Sequence, residues 1–176
     1  MFNHLPFYKL FSEIDSDLKN LGHRVATDIY RLAIDCELHK PYLRPNNAWG
    51  NGQNELVVCD SWNKQKDVAA EEGIVSIGYD RKKYERWARI YQFAKVYLYA
   101  PSSGLYSCPL AMTDGAAKTF EQLSLLENPM ILNAYNRILS RNPEEFWTSG
   151  QWMTEKGGGS DVCMFPMKQN FITCFI

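Results

Sequence analysis

The residues best suited to chemistry come late in the chain, from Gln151 to Val162, reading Gln-Trp-Met-Thr-Glu-Lys-Gly-Gly-Gly-Ser-Asp-Val. Gly157 to Gly159 let the backbone come close to a ligand and expose a run of amide donors, and Thr154 and Ser160 add hydroxyls that both donate and accept. Such a loop suits a polar, phosphate-bearing ligand. Taken alone, a glycine run is as often a hairpin or a flexible linker, so the order of its neighbours decides. Elsewhere the reactive side chains are dispersed. His4, His23 and His39 have no partners at metal-ligand spacing. The five cysteines, Cys36, Cys59, Cys108, Cys163 and Cys174, contain no Cys-x-x-Cys pair, which points to neither a zinc site nor a disulfide framework. They read as reduced, mostly buried thiols of an intracellular protein.

Met153-Thr-Glu-Lys-Gly-Gly-Gly-Ser-Asp-Val162 resembles the flavin-binding signature of the acyl-CoA dehydrogenase family. Upstream, Cys108-Pro-Leu-Ala-Met-Thr-Asp-Gly-Ala-Ala-Lys118 is similar to the pocket-side helix of the same family, in the branch of the bacterial AidB-like alkylation-response flavoproteins and their animal relatives. Pro41-Tyr-Leu-Arg-Pro-Asn-Asn-Ala-Trp49 and Cys59-Asp-Ser-Trp62 resemble that branch's N-terminal region. The resemblance therefore runs from about Leu38 to Val162.

It implies a mainly α fold: the N-terminal helical bundle domain of the acyl-CoA dehydrogenase fold, with only the start of the following β-domain. Residues 1–149 would be the helical domain, 150–162 the first strand and flavin-binding loop, and 163–176 a divergent tail unlike the family. The implied cofactor is FAD and the implied substrate a fatty acyl-CoA thioester. In that reaction a carboxylate removes the α-proton while the β-hydrogen leaves as hydride to the flavin, so ring, thioester and base must be held in register. Carried onto this sequence, Gln151, Trp152, Met153, Thr154, Glu155, Lys156, Gly157, Gly158, Gly159 and Ser160 lie along FAD. The Thr154 hydroxyl would bond the ring, and Ser160 would also approach the acyl-CoA. Thr113 and Ala116 become neighbours of the acyl chain. No acidic residue matches the family's base, so none is assigned as catalytic. Two readings stay open. One is an acyl-CoA dehydrogenase chain truncated before its catalytic carboxylate and inactive alone. The other is a non-catalytic isoform that binds acyl-CoA, a full-length family partner or a second copy of itself.

Several elements must position these residues. Phe7, Leu10, Phe11, Ile14 and Leu18 predict a helix from Pro6 to about Asn20 that Gly22 ends or interrupts, and Val25, Ile29, Leu32, Ala33 and Cys36 predict another over 23–37. The stretch 40–54, rich in Pro, Gly and Asn, reads as an ordered loop pinned by Tyr42 and Trp49. Asp60 or Ser61 is the expected N-cap of a helix to about Glu72. Ile74 to Ile77 is ambiguous. A single helix is expected from the cap Asp80 to Ala100, with Tyr84, Trp87, Ala88, Tyr91, Ala94 and Leu98 on its core face, Arg81 to Lys83 solvated, and Pro101 as its stop. Leu105 to Leu126 predicts a long helix whose small residues, Ser107, Ala111, Gly115, Ala116 and Ala117, suit either tight helix packing or a pocket wall. Asn128-Pro129 opens a helix to about Leu139, and Gly150 to Thr154 reads as a strand.

Composition bounds the rest. Hydrophobic residues at 45%, with 14% aromatic, describe a core-forming chain rather than a disordered one. A net charge of −1 gives no reason to expect nucleic acid or an acidic membrane as a partner. That balance matters because AidB-like proteins are associated with DNA, through a surface that belongs to their C-terminal domain. No secretory signal or membrane-length apolar run is apparent, so an intracellular location, cytoplasmic or mitochondrial, is expected.

Overall fold

Leu10, Ile14, Leu18, Leu21 and Val25 recur every three or four residues, and this stripe holds α1 (Phe7–Ala26) against the rest of the bundle. The computed structural model describes residues 7–151 and a short strand at 173–175. Gly22 does not end α1. Leu21 and Val25 pack into the core on either side of it, and that burial outweighs the roughly 1 kcal/mol a helical glycine costs. The break falls at Thr27, whose backbone leaves helical values (φ −126°, ψ −91°) before α2 (Asp28–Leu38) begins.

The expected loop over 40–54 is instead part of an antiparallel hairpin, β1 (Tyr42–Asn46) and β2 (Gly52–Val57), with Leu43 opposite Leu56 and Arg44 opposite Glu55. Its proline is tolerated because Pro45 lies where the register shifts. Asn47 makes the turn, its Oδ1 accepting from the amides of Trp49 and Asn51. The hairpin aromatics pin nothing: Tyr42 is 54% and Trp49 86% exposed.

Cys59, rather than Asp60 or Ser61, caps α3 (Asp60–Glu71), and Asp60 enters its first turn, where a carboxylate complements the helix dipole. The ambiguous stretch after it becomes a 3-10 turn, Ser76–Tyr79. Asp80 then caps as expected, its side chain accepting from the Lys83 amide. The helix it opens is not continuous. α4 (Arg81–Tyr84) stops at Glu85, which takes a left-handed φ of +48°, and after a 3-10 turn α5 (Ala88–Tyr99) continues. The offset brings the Tyr84 and Tyr91 rings edge to face at 5.0 Å in the cluster around Leu10. The basic residues before it are ion-paired rather than merely solvated: Arg81 forks onto Glu121, and Lys83 bonds Glu13.

α6 (Ser107–Gln122) starts later than expected, because Gly104 and Leu105 both take positive φ, and it ends before Ser124, which does the same. α7 (Pro129–Ile138) is capped by the Asn128 side chain. A strand, β3 (Ser149–Gln151), follows and pairs antiparallel with β4 (Thr173–Phe175). Residues near the end of the sequence therefore supply the strand that lies beside β3.

The main core gathers Leu21, Ile29, Val68, Ile74, Tyr99, Tyr106, Leu110 and Phe146 from five helices and the segment before β3. Its polar atoms are matched. The Tyr99 hydroxyl donates to Gln65 Oε1 (2.9 Å) and Gln65 Nε2 donates to the Ser102 carbonyl (3.0 Å), as burial requires. Lys95, fully buried on α5, is held by Asp17 (2.7 Å) and Glu72 (2.8 Å).

Candidate functional site

Of the residues expected along FAD, only Gln151 lies within the described part of the chain. Trp152 to Ser160 fall outside the described residues. What the structure shows is how Ser149 to Gln151, the residues just before them, are held. Thr113, fully buried on α6, donates its hydroxyl to the Pro109 carbonyl (2.7 Å) and accepts the amide of Ser149 (2.9 Å). That bond fastens the first residue of β3 to the small-residue helix. Two residues on, the Gln151 side-chain amide lies over Gly115, where an added Cβ would stand 3.9 Å from it and, among the described residues outside its own turn of helix, within 4 Å of nothing else. The Ser149 hydroxyl, buried beside it, has no partner among the described residues.

The two expected acyl-chain neighbours are placed differently. Thr113 has both hydroxyl functions committed, so its contribution is to position β3. Ala116 is half-buried and packs on the cluster of Ala117, Phe120 and Ile138 that joins α6 to α7. Of the small residues of α6, Ala117 serves close helix packing against α7.

A second space of about 140 Å³ lies between α5 and α6, lined by Val75, Val96, Tyr99, Leu110 and Ala111 with Gln92 and Asp114 at a polar end. On a 3.6-residue period Ala111 and Asp114 face away from Ala116. The polar end is saturated. Asp114 accepts from Arg89 (2.6 Å) and Gln92 (3.2 Å), and Gln92 also donates to the carbonyls of Ile74 and Val75. Burial pushes the Tyr79 phenol well above its usual range while its hydroxyl donates to the Asp114 carbonyl. Gly78 makes this arrangement fit, since a Cβ there would stand 2.1 Å from Gln92 Oε1. Gly78→Ala is expected to destabilise the domain by about 1–3 kcal/mol through overpacking, measurable by urea unfolding.

Sequence reasoning missed Lys95, Gln92 and Asp114, and left Cys36 and Cys59 as isolated thiols. Cys36 and Cys59 are half-buried and Cys108 is exposed, so burial is shallower than expected. Among the described residues no group of His, Cys, Asp and Glu could hold a metal ion, and no helix is long and apolar enough to cross a membrane.

A helical bundle that ends in a strand anchored to its small-residue helix is the N-terminal helical domain of the acyl-CoA dehydrogenase fold. The model of the adaptive response protein AidB N-terminal domain matches residues 9–142, and the chain belongs to that family, within the acyl-CoA dehydrogenases. Acyl-CoA dehydrogenase family member 11 of Caenorhabditis elegans is 45% identical over 153 residues, which are 86% of this chain and 25% of the relative. The crystal structure of C. elegans ACDH-11 in complex with C11-CoA matches with a TM-score of 0.83 at 44% identity, covering 90% of this chain and 27% of that one. Bd2924 in its apo form matches with a TM-score of 0.80 at 42% identity, over 90% of this chain and 31% of that one. The chain thus spans about a quarter of the length of the curated relative it matches.

Proposed function

We propose that this chain forms one wall of an FAD-dependent acyl-CoA dehydrogenase site, with Gln151 to Ser160 as its flavin side and α6, including Thr113 and Ala116, as its acyl side. Domain boundaries at 149/150 and 162/163 go with this reading. The observation that carries it is the anchoring of β3 on α6, with the Gln151 amide over the bare backbone of Gly115. FAD, when bound, would supply the hydride acceptor for oxidation of the acyl Cα–Cβ bond. The residues of this chain would do the rest of the holding. Thr113 fixes where β3 starts, Gln151 offers a side-chain amide, and Gly115 leaves room for a ring. None of its acids matches the family's base, so the 176 residues by themselves are expected to bind without turning substrate over. C11-CoA in the C. elegans neighbour supports a fatty acyl-CoA as the ligand class here.

The test is titration of the purified chain with FAD, followed by flavin fluorescence, and with a medium-chain acyl-CoA, followed by calorimetry. Gly115→Val is expected to weaken binding at least about tenfold, roughly 1.4 kcal/mol. Its melting temperature should hold, because a helical valine is no worse than glycine and an added Cβ meets only the Gln151 side chain among the described residues. Undiminished affinity in this variant would remove Gly115 from the wall, and failure of the parent chain to bind either ligand would sink the proposal.

A chain that docks on a family partner without catalysis is favoured by a separate observation. Ile90, Phe93 and Tyr97 form an apolar stripe on α5, exposed at 62%, 64% and 82%. Such a stripe needs cover. Light scattering of the chain, alone and mixed with a full-length family member, separates the two readings.

A further inference from the structure

The two thiols that looked unrelated in the sequence meet in the fold. Cys36 lies in the last turn of α2 and Cys59 caps α3, and their sulfurs stand 3.8 Å apart although the residues are 23 positions apart. A disulfide needs about 2.05 Å between sulfurs, a closure of under about 1 Å from each side. Everything between them, apart from two short connections, is the β1–β2 hairpin, whose strands are exposed throughout except at Val57. A two-stranded hairpin is marginal by itself. We propose that Cys36 and Cys59 are a redox-active dithiol, oxidised by small aliphatic disulfides to an intramolecular bond that clamps the base of this hairpin.

Access decides which thiol reacts first. Gly104, at a φ of +54°, lies so close to Cys36 that an added Cβ would stand 2.9 Å from its Cβ and 3.1 Å from its sulfur. That side of Cys36 has no room for a bulky adduct. Burial, reinforced by the neighbouring Cys59 sulfur, also pushes the Cys36 thiol up to about 12. Cys59 is therefore the attacking group and Cys36 the resolving one.

In the first step the Cys59 thiolate attacks one sulfur of the reagent; the new S–S bond forms, the reagent's own S–S bond breaks, and one thiolate leaves and takes up a proton. Cys36 then loses its proton and attacks Cys59 Sγ. The Cys36–Cys59 bond forms, the mixed disulfide breaks, and a second thiol leaves. Two protein thiols are oxidised and one reagent disulfide is reduced, with both protons carried off on the leaving groups. When Cys59 is in the mixed disulfide its interaction with Cys36 changes, and part of what holds the Cys36 thiol protonated is removed.

The experiment incubates the full chain in glutathione buffers of increasing oxidised fraction, quenches with acid, alkylates and maps the peptides. A linked Cys36–Cys59 peptide is expected to appear at lower oxidised fraction than any other pairing, while the exposed Cys108 gives only a glutathione adduct. Cys36→Ser should trap glutathione on Cys59, and Cys59→Ser should leave Cys36 at least about tenfold slower to react than Cys59 in the parent chain. Hydrogen exchange at the hairpin base should slow by at least about tenfold on oxidation. The proposal is overturned if Cys108 is modified while no Cys36–Cys59 peptide forms, or if Cys36 reacts as fast without Cys59 as Cys59 does in the parent chain.

Discussion

Lys95→Ala is expected to lower the unfolding free energy by about 3–5 kcal/mol, read as a fall in the urea midpoint with little change in slope. Lys95 is fully buried and its ammonium bridges Asp17 and Glu72, carried on α1 and at the end of α3, so one side chain ties three helices. Removing it does not leave an empty apolar hole. It leaves two carboxylates facing each other in a half-dry space. Glu72 keeps Arg24 at 2.5 Å and Asp17 keeps the Tyr91 hydroxyl at 2.5 Å, which sets the loss within that range rather than above it. Restoring neutrality should restore stability: Lys95→Met combined with Asp17→Asn and Glu72→Gln is expected to recover most of it.

The same cluster fixes the acid limb of the stability profile. Burial alone would raise the Asp17 carboxyl, but hydrogen bonds from Lys95 and Tyr91, together with the Lys95 charge, bring it below the usual carboxylate range. A depressed carboxylate contributes stability that is fully present above its unfolded value and is lost as pH falls through the folded one. The parent protein should therefore hold its melting temperature down to about pH 4 and lose it below. In Lys95→Ala the largest lowering partner is gone while burial and the Tyr91 bond remain, so the loss should begin at higher pH. A profile with the same acid limb in both proteins would show that Lys95 does not set the Asp17 titration.

The helices were legible because burial here follows a 3.6-residue period that α1, α2, α6 and α7 show in their apolar residues. Lys95 was legible too, in a way that a search for apolar residues passes over. Tyr84, Ala88, Tyr91, Lys95 and Tyr99 follow one another at four, three, four and four residues, so a lysine occupies a core position and needs acids to meet it. Those acids lie far away in sequence, and nothing local names them. The break at Glu85 has no glycine or proline to announce it, and it accompanies a tertiary contact, the packing of Tyr84 against Tyr91. The hairpin was hidden for the opposite reason. Pro45, Gly50 and Gly52 advertise a loop, whereas the pairing rests on cross-strand hydrogen bonds and the Arg44–Glu55 ion pair, neither of which has a compositional signature. At the candidate site the family pattern pointed to the loop from Gln151 onward, of which only Gln151 lies among the described residues, and to the helix carrying Gly115. It did not reveal that Thr113 joins the two, because a threonine that bonds backward to residue i−4 looks in sequence like any helical threonine.

Thr113→Val tests that joint. Valine has nearly the same shape, so packing around this fully buried position should survive, and what is lost is one hydroxyl, the donor to the Pro109 carbonyl and the acceptor for the Ser149 amide. The Pro109 carbonyl is still helical backbone, but the Ser149 amide becomes a buried donor without its partner on α6. A buried amide left unsatisfied costs about 1–3 kcal/mol. Whether that energy appears globally or locally distinguishes a structural threonine from a positioning one. If Thr113 merely supports the bundle, the urea midpoint falls and exchange quickens everywhere. If it positions β3, exchange at Ser149, Gly150 and Gln151 should quicken by about tenfold or more while α1 to α5 keep their protection. Affinity for FAD and acyl-CoA should then fall with it, because the Gln151 amide no longer has a fixed start from which to reach Gly115. Thr113→Ser, which keeps the acceptor, should restore both. Unchanged exchange at Ser149 in Thr113→Val would show that pairing with β4 is enough to hold β3, and the anchoring role of Thr113 would fall.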